Sequence, residues 1–215
     1  MDTQELLLAG LGSGLGAAVT KEAGASRTRL AFLQKVQDEL SATQAGREIF
    51  DSLTRKEKRA RDKQLYVISE DMGTSTSLKL WKSDQAKSEG LANITNVKHD
   101  KWFLCTGIRL LYHAGATKLG TRFDAEYTAA VANGEFSLRI DNKEIIKDLP
   151  VDAFANVAQG AVAPTIPQDC ELGEYKLDNP FWIAPDKVIE MELRLGAAGS
   201  GNNFFKTILK GIEIE

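Results

Sequence analysis

The chain holds 215 residues, 43% hydrophobic and 27% charged, with a formal net charge of -3. That composition lies far from the disordered and membrane classes and allows one full core, or a domain of about 150 residues with an appendage. Residues 1–63 hold 11 Lys and Arg against 9 Asp and Glu, and the remainder 16 against 21, so whole-molecule attraction to nucleic acid is not expected, although a local basic patch is allowed.

The opening Met1-Asp2-Thr3-Gln4-Glu5 lacks the positive start of a secretory signal, and the apolar stretch Leu6 to Val19 is short and rich in glycine. Neither export nor a transmembrane anchor is predicted. The run Gly10-Leu11-Gly12-Ser13-Gly14-Leu15-Gly16 has no preceding strand or following βαβ unit to make it a phosphate-cradling loop, and reads as part of an N-terminal arm. From Ser26 to about Lys63 the period is helical. Leu30, Leu33, Val36 and Leu40 form one stripe, Ile49, Phe50 and Leu53 another, and Ser41 with Gln44 resembles a capping box. Such narrow amphipathic stripes must dock on something larger.

The zone closes on a basic run of Arg55, Lys56, Lys58, Arg59, Arg61 and Lys63, broken only by Glu57, Ala60 and Asp62. One reading is a solvated helix end whose cations suit the C-terminal dipole. The other is contact with a phosphate backbone or an acidic partner, without base stacking, because no aromatics interleave.

From Gln64 onward the period alternates. Expected strands are Gln64 to Ser69, Ser75 to Trp81, Leu91 to Val97, Trp102 to Tyr112, Phe136 to Ile140, Glu144 to Lys147, Gly173 to Leu177, Lys187 to Leu195 and Phe204 to Glu215. Asp141-Asn142 suits a tight hairpin turn. In Ile189 to Leu195, alternate residues face a core while Glu190, Glu192 and Arg194 face water. Phe123 to Val131 fits a helical turn or an extra strand. The segment Val151 to Gln168, with Pro164 and Pro167, reads as an extended crossover. The expected architecture is mainly β, a jelly-roll-like antiparallel β-sandwich over residues 64–215, preceded by an N-terminal helical arm over residues 1–63.

Chemistry is sparse. His99 and His113 flank an apolar strand of about eleven residues, roughly 36 Å when extended, and read as loop residues too distant to share a metal. Cys105 and Cys170 lack the spacing of zinc or redox motifs, so a reducing compartment is expected and Cys105 reads as core. The alternating pairs Glu190 with Glu192 and Glu213 with Glu215 read as solvated sheet faces. Serine-elbow and zinc-protease motifs do not occur. No cofactor, metal or catalytic residue is assigned, and no enzymatic activity is expected. Phe181-Trp182-Ile183, set between Pro180 and Pro185, reads as a core plug first and an interface anchor second.

Trp102 to Tyr112, Asn133 to Ile140, and Asn179-Pro180-Phe181-Trp182-Ile183-Ala184-Pro185 leading into Ile189 to Leu195 together resemble virion structural proteins of bacterial viruses, over about residues 100 to 215. The resemblance implies a jelly-roll capsid-type subunit, located in the virion and assembled in the host cytoplasm, whose partners are copies of itself and other virion proteins. The basic run would then face genome or an acidic neighbour. The alternative is a carbohydrate- or receptor-binding β-sandwich whose loops Ala114 to Asp124 and Ala197 to Asn203 form the site.

Overall fold

A computed structural model describes residues 44–55, 57–71, 75–114, 122–155, 172–198 and 203–215. The chain divides into two compact units, Met1–Arg59 and Ala60–Glu215. In the first, helix α1 spans Gln44–Thr54. Gly46 and Ile49 are buried on one side while Gln44, Arg47, Glu48 and Asp51 are exposed. The Ser52 hydroxyl donates to the Glu48 carbonyl at 2.8 Å, and the Glu57 and Lys58 N–H groups fold back on the Ser52 carbonyl, closing the helix as its end requires. The stripe at Leu30, Leu33, Val36 and Leu40 and the capping Ser41 lie outside the described residues.

Contrary to the expectation from sequence, the helical period does not continue to Lys63. Strand β1 starts at Ala60 and runs to Asp71. Its first residues pair with the end of the chain, Ala60 with Ile214 and Arg61 with Glu213, and this long-range ladder overrides local preference. The remaining strands are β2 (Ser77–Lys79), β3 (Trp102–Ala114), β4 (Glu135–Ile140), β5 (Lys143–Pro150), β6 (Glu174–Ile183), β7 (Ile189–Arg194) and β8 (Asn203–Ile214). They form two four-stranded antiparallel sheets, β1-β8-β3-β6 (sheet A) and β2-β7-β4-β5 (sheet B). The unit is therefore mainly β. Helix α2 is a single turn, Ala129–Ala132, and Val151–Phe154 is one 3-10 turn; residues 156–168 of the expected crossover lie outside the description.

The core lies between the sheets. Leu65 and Val67 of β1, Phe103, Cys105, Ile108, Leu110 and Tyr112 of β3, and Phe205 and Leu209 of β8 meet Phe136, Leu138 and Ile140 of β4 and Ile189, Met191 and Leu193 of β7 in one cluster. A bulge at Thr106 shifts the register of β3 against both neighbours between Cys105 and Gly107, so the inward set moves from odd to even residues along the strand. Close packing reaches the backbone at Gly211, where a Cβ would stand 1.9 Å from the Leu104 carbonyl oxygen.

Two strand expectations need correction. Leu91 to Val97 makes only isolated bridges, Val67 to Ala92 and Thr95 to Lys98 among them. The side chain of Asn93 substitutes for a ladder there, accepting from the Tyr66 N–H at 2.7 Å and donating to the Gln64 carbonyl at 2.6 Å. Asn96 and Val97 then turn the chain in the left-handed region, at φ 51° and 54°. In β6 the strand continues through Pro180 to Ile183 rather than ending at Leu177. β6 is an edge strand, so a proline N without hydrogen costs it no ladder partner on the open side.

Candidate functional site

The two sheets carry opposite chemistry on the faces turned away from the core. On sheet B, outward residues are charged and matched across strands: Arg139 lies opposite Glu190 and Glu144, and Lys79 opposite Glu192. Ser77 donates to Glu192 at 2.6 Å, and Arg194 stands 3.5 Å from Asp148. This is the solvated face that the alternation of β7 predicts. A trough of about 390 Å³ lies along it, lined by Lys79, Ser137, Arg139, Glu144, Glu190 and Arg194.

Sheet A is different. Leu104 and Leu111 of β3, Phe204, Ile208 and Ile214 of β8, and Ile68 of β1 alternate with core residues, so they point away from the other sheet, and none belongs to the inter-sheet cluster. All six are buried, Leu104 at 1% and Ile208 at 4% exposure. Trp102, Trp182 and Ile212 lie half-buried on the same face, the two indoles edge to face at 6.3 Å. Arg109, Lys206 and Lys210 stand among them; Lys206 lies over the Tyr66 ring, and Lys210 pairs at 2.8 Å with Glu174, itself buried. Sheet A is thus apolar on both faces, the pattern of a middle layer.

Alternation along β6 divides the Phe181-Trp182-Ile183 triplet. Phe181 pairs with Cys105 and packs on the core, as does Ile183, whereas Trp182 pairs with Leu104 and turns outward. Trp182 Nε1 is buried and finds no hydrogen-bond partner among the described residues. The basic run is divided too. Arg55 and Arg59 are exposed and Lys58 half-exposed; Lys56 lies outside the described residues. Arg61 and Lys63 belong to β1 and are engaged, Arg61 at 3.0 Å from Glu215 and Lys63 at 3.8 Å from Glu213. Within this run, Arg55, Lys58 and Arg59 are the described cations that make no ion pair with a described carboxylate.

Those pairs belong to a cluster at one end of the seam between the sheets. Glu213, read from sequence as a solvated carboxylate, is 3% exposed, because its place in β8 turns it inward opposite Phe103. His99, read as a loop histidine, is in a loop but buried at 8%. Its Nε2 lies 2.8 Å from Glu213 Oε2 yet makes no well-directed hydrogen bond, so the contact is chiefly electrostatic. Lys101 closes the ring, 3.5 Å from Glu213 and 2.5 Å from Glu215. Burial holds the His99 imidazole below its ordinary value, against the opposing pull of Glu213 and Asp100. The hydrogen bond between Lys101 and Glu215 raises the amine and lowers the carboxyl. Correcting the other histidine, His113 lies within β3, half-buried, its ring edge-on to Phe123 at 6.0 Å.

Cys105 is a free, fully buried thiol, pushed well above its ordinary value by that burial; Cys170 lies outside the described residues. Among the described residues no three His, Cys, Asp or Glu side chains converge as metal ligands, and no helix is long and apolar enough to cross a membrane. Residues 115–121 and 199–202 of the two loops considered for ligand binding lie outside the description. Sequence reasoning missed the seam cluster and the dry outer face of sheet A. The near-unbroken apolar runs of β3 and β8 were the available signal for the second. No family model, no curated protein and no solved structure matches the chain.

Proposed function

We propose that the chain is a structural subunit of a bacteriophage virion, a capsid, vertex or capsid-associated protein that acts through contacts with copies of itself and with other virion proteins, without catalysis. The observation that carries this reading is the order in which the eight strands pair into two facing sheets, an arrangement common in capsid domains.

Strand pairing supports the finer fold reading. β1 pairs with β8, β2 with β7, β3 with β6 and β4 with β5, the pattern made when one long hairpin is rolled into two facing sheets. That is the jelly-roll plan, common in capsid and lectin domains. In this reading the N-terminal helical arm reaches a neighbouring subunit, and Arg55, Lys58 and Arg59 supply the contact with genome or an acidic partner that the basic run as a whole suggests. The test is electron microscopy of the purified full chain beside a chain that starts at Ala60. Defined oligomers or particles are expected from the full chain and not from the shorter one; monodisperse monomers from both would refute assembly.

A second reading has one observation in its favour. The trough on sheet B presents the hydroxyl of Ser137 with the charged heads of Arg139, Glu190 and Arg194, a polar lining suited to a carbohydrate or receptor. Glycan-array binding by the natural chain, lost in Arg139→Ala, would favour it.

A further inference from the structure

We propose that the outer face of sheet A is the seat of residues 26–43 of the same chain, which pack on it as an amphipathic helix through Leu30, Leu33, Val36 and Leu40. The face needs a cover. Leu104, Ile208 and Ile214 point away from the inter-sheet core and are each at most 4% exposed, so atoms of the chain other than the facing sheet shield them from water. Sheet B, helix α2 and the 3-10 turn all contribute side chains to the inter-sheet cluster and therefore lie on the inner side. The described loops flank the sheet: Leu91 and Asn93 bond along the edge of β1, Asp124 bonds to Tyr112, and Gly173 to Leu110.

Chain length decides which of the other segments can serve. Residues 72–74, 115–121 and 199–202 adjoin the end of sheet A where Asp71 and Ala114 pair with Asn203. Ile214 and Trp102 pair at the opposite end, about 37 Å away along β8. The longest of these three segments, residues 115–121, reaches only about 12 Å out and back. Residues 156–171 must enter β6 at Glu174, opposite Arg109 near the middle of β3. They carry Pro164 and Pro167 and no helical stripe, and a path to the Trp102 row and back, about 48 Å, takes nearly all of their extended length. The chain ahead of β1 arrives at the required end: Ala60 pairs with Ile214, which pairs with Trp102.

Size and chemistry agree with that occupant. From Leu30 to Leu40 the stripe is about 15 Å long on a helix, against about 14 Å across four strands. A stripe this narrow does not hold a helix in water without a surface to dock on, and an uncovered face would leave Trp102, Trp182 and Ile212 in water beside the leucines and isoleucines. Each surface supplies the burial that the other lacks. Because the segment is tethered to β1, its local concentration at the face exceeds that of a second copy. The glycine-spaced stretch before Ser26 is left for contact with a neighbour.

The experiment uses the full chain with its natural lysines, as an equal mixture of isotope-labelled and unlabelled copies. After treatment with a short amine-reactive cross-linker, mass spectrometry is expected to find Lys35 joined to Lys206 or Lys210 within one copy, and Leu33→Asp combined with Val36→Asp should cut that yield at least about tenfold. Absence of these links in the natural chain, links formed only between a labelled and an unlabelled copy, which would put a second copy on the face, or links kept in the double variant would each overturn the proposal. Acrylamide quenching of the tryptophans should also rise at least about twofold in the double variant while its β-sheet circular dichroism is kept, because Trp102 and Trp182 lose their cover; unchanged quenching would overturn the proposal as well. Should the double variant fail to fold, the links in the natural chain decide alone. A link within one copy of a chain that stays monomeric keeps this inference while refuting assembly, so the two fail separately.

Discussion

Replacing Ile208 by Ala distinguishes a sheet that is dry on both faces from one wetted on its outer face. Ile208 sits in β8 between Lys206 and Lys210, opposite Tyr66 of β1 and Arg109 of β3, and points away from the inter-sheet core. On an ordinary solvated face such a truncation stays within about 0.5 kcal/mol. Ile208 is 4% exposed, so its loss removes buried methyl and methylene groups and leaves a cavity, at about 2–5 kcal/mol. In urea, with a slope of about 2 kcal/mol/M, the midpoint should fall by about 1–2.5 M at unchanged slope. Glu190→Ala is the control: Glu190 points outward from sheet B and is exposed, and its cross-strand partner Arg139 is worth little in water, so its midpoint should move by less than about 0.25 M. A shift that small for Ile208→Ala would refute the claim that the outer face of sheet A is packed.

Gly211→Ala places a methyl against the Leu104 carbonyl oxygen, 1.9 Å from where the Cβ would stand, and 2.8 Å from Phe103 Cζ. Overpacking costs about 1–3 kcal/mol where side chains can shift; here backbone must move, so thermal denaturation should show a loss at or above the top of that range, and an unchanged midpoint would contradict the register of β3 on β8. Tyr112→Phe removes a buried hydroxyl that donates to Asn203 Oδ1 at 2.7 Å and should cost about 1–2 kcal/mol by urea titration. In a Cys170→Ser chain, Cys105 should react with a thiol reagent at pH 8 at least about 100-fold more slowly when folded than in urea, because burial both shields it and raises its thiol value; equal rates would place Cys105 outside the core.

Legibility in the sequence followed the physics of each element. β4 and β7 were plain because each has one wet face, so apolar and polar residues alternate, and Asp141 at φ 51° supplies the left-handed residue of the two-residue turn into β5. β3 and β8 were readable as strands, but their apolar runs hid which side chains face where, and the Thr106 bulge reverses that assignment midway. Leu91 to Val97 has strand composition, yet Asn93 and Asn96 give it side-chain bonds and a left-handed turn in place of a ladder. The seam cluster was hidden for another reason. Glu213 and His99 are 114 positions apart, and only the pairing of β8 with β3 turns the carboxylate inward to meet the ring.

The most direct measurement of the central claim is the mass of the full chain in solution at native concentration, by light scattering or sedimentation. Assembly through subunit contacts predicts a defined multiple of the 23.5 kDa chain mass. A single species at that mass, with the chain lacking residues 1–59 likewise at its own monomer mass, would contradict it.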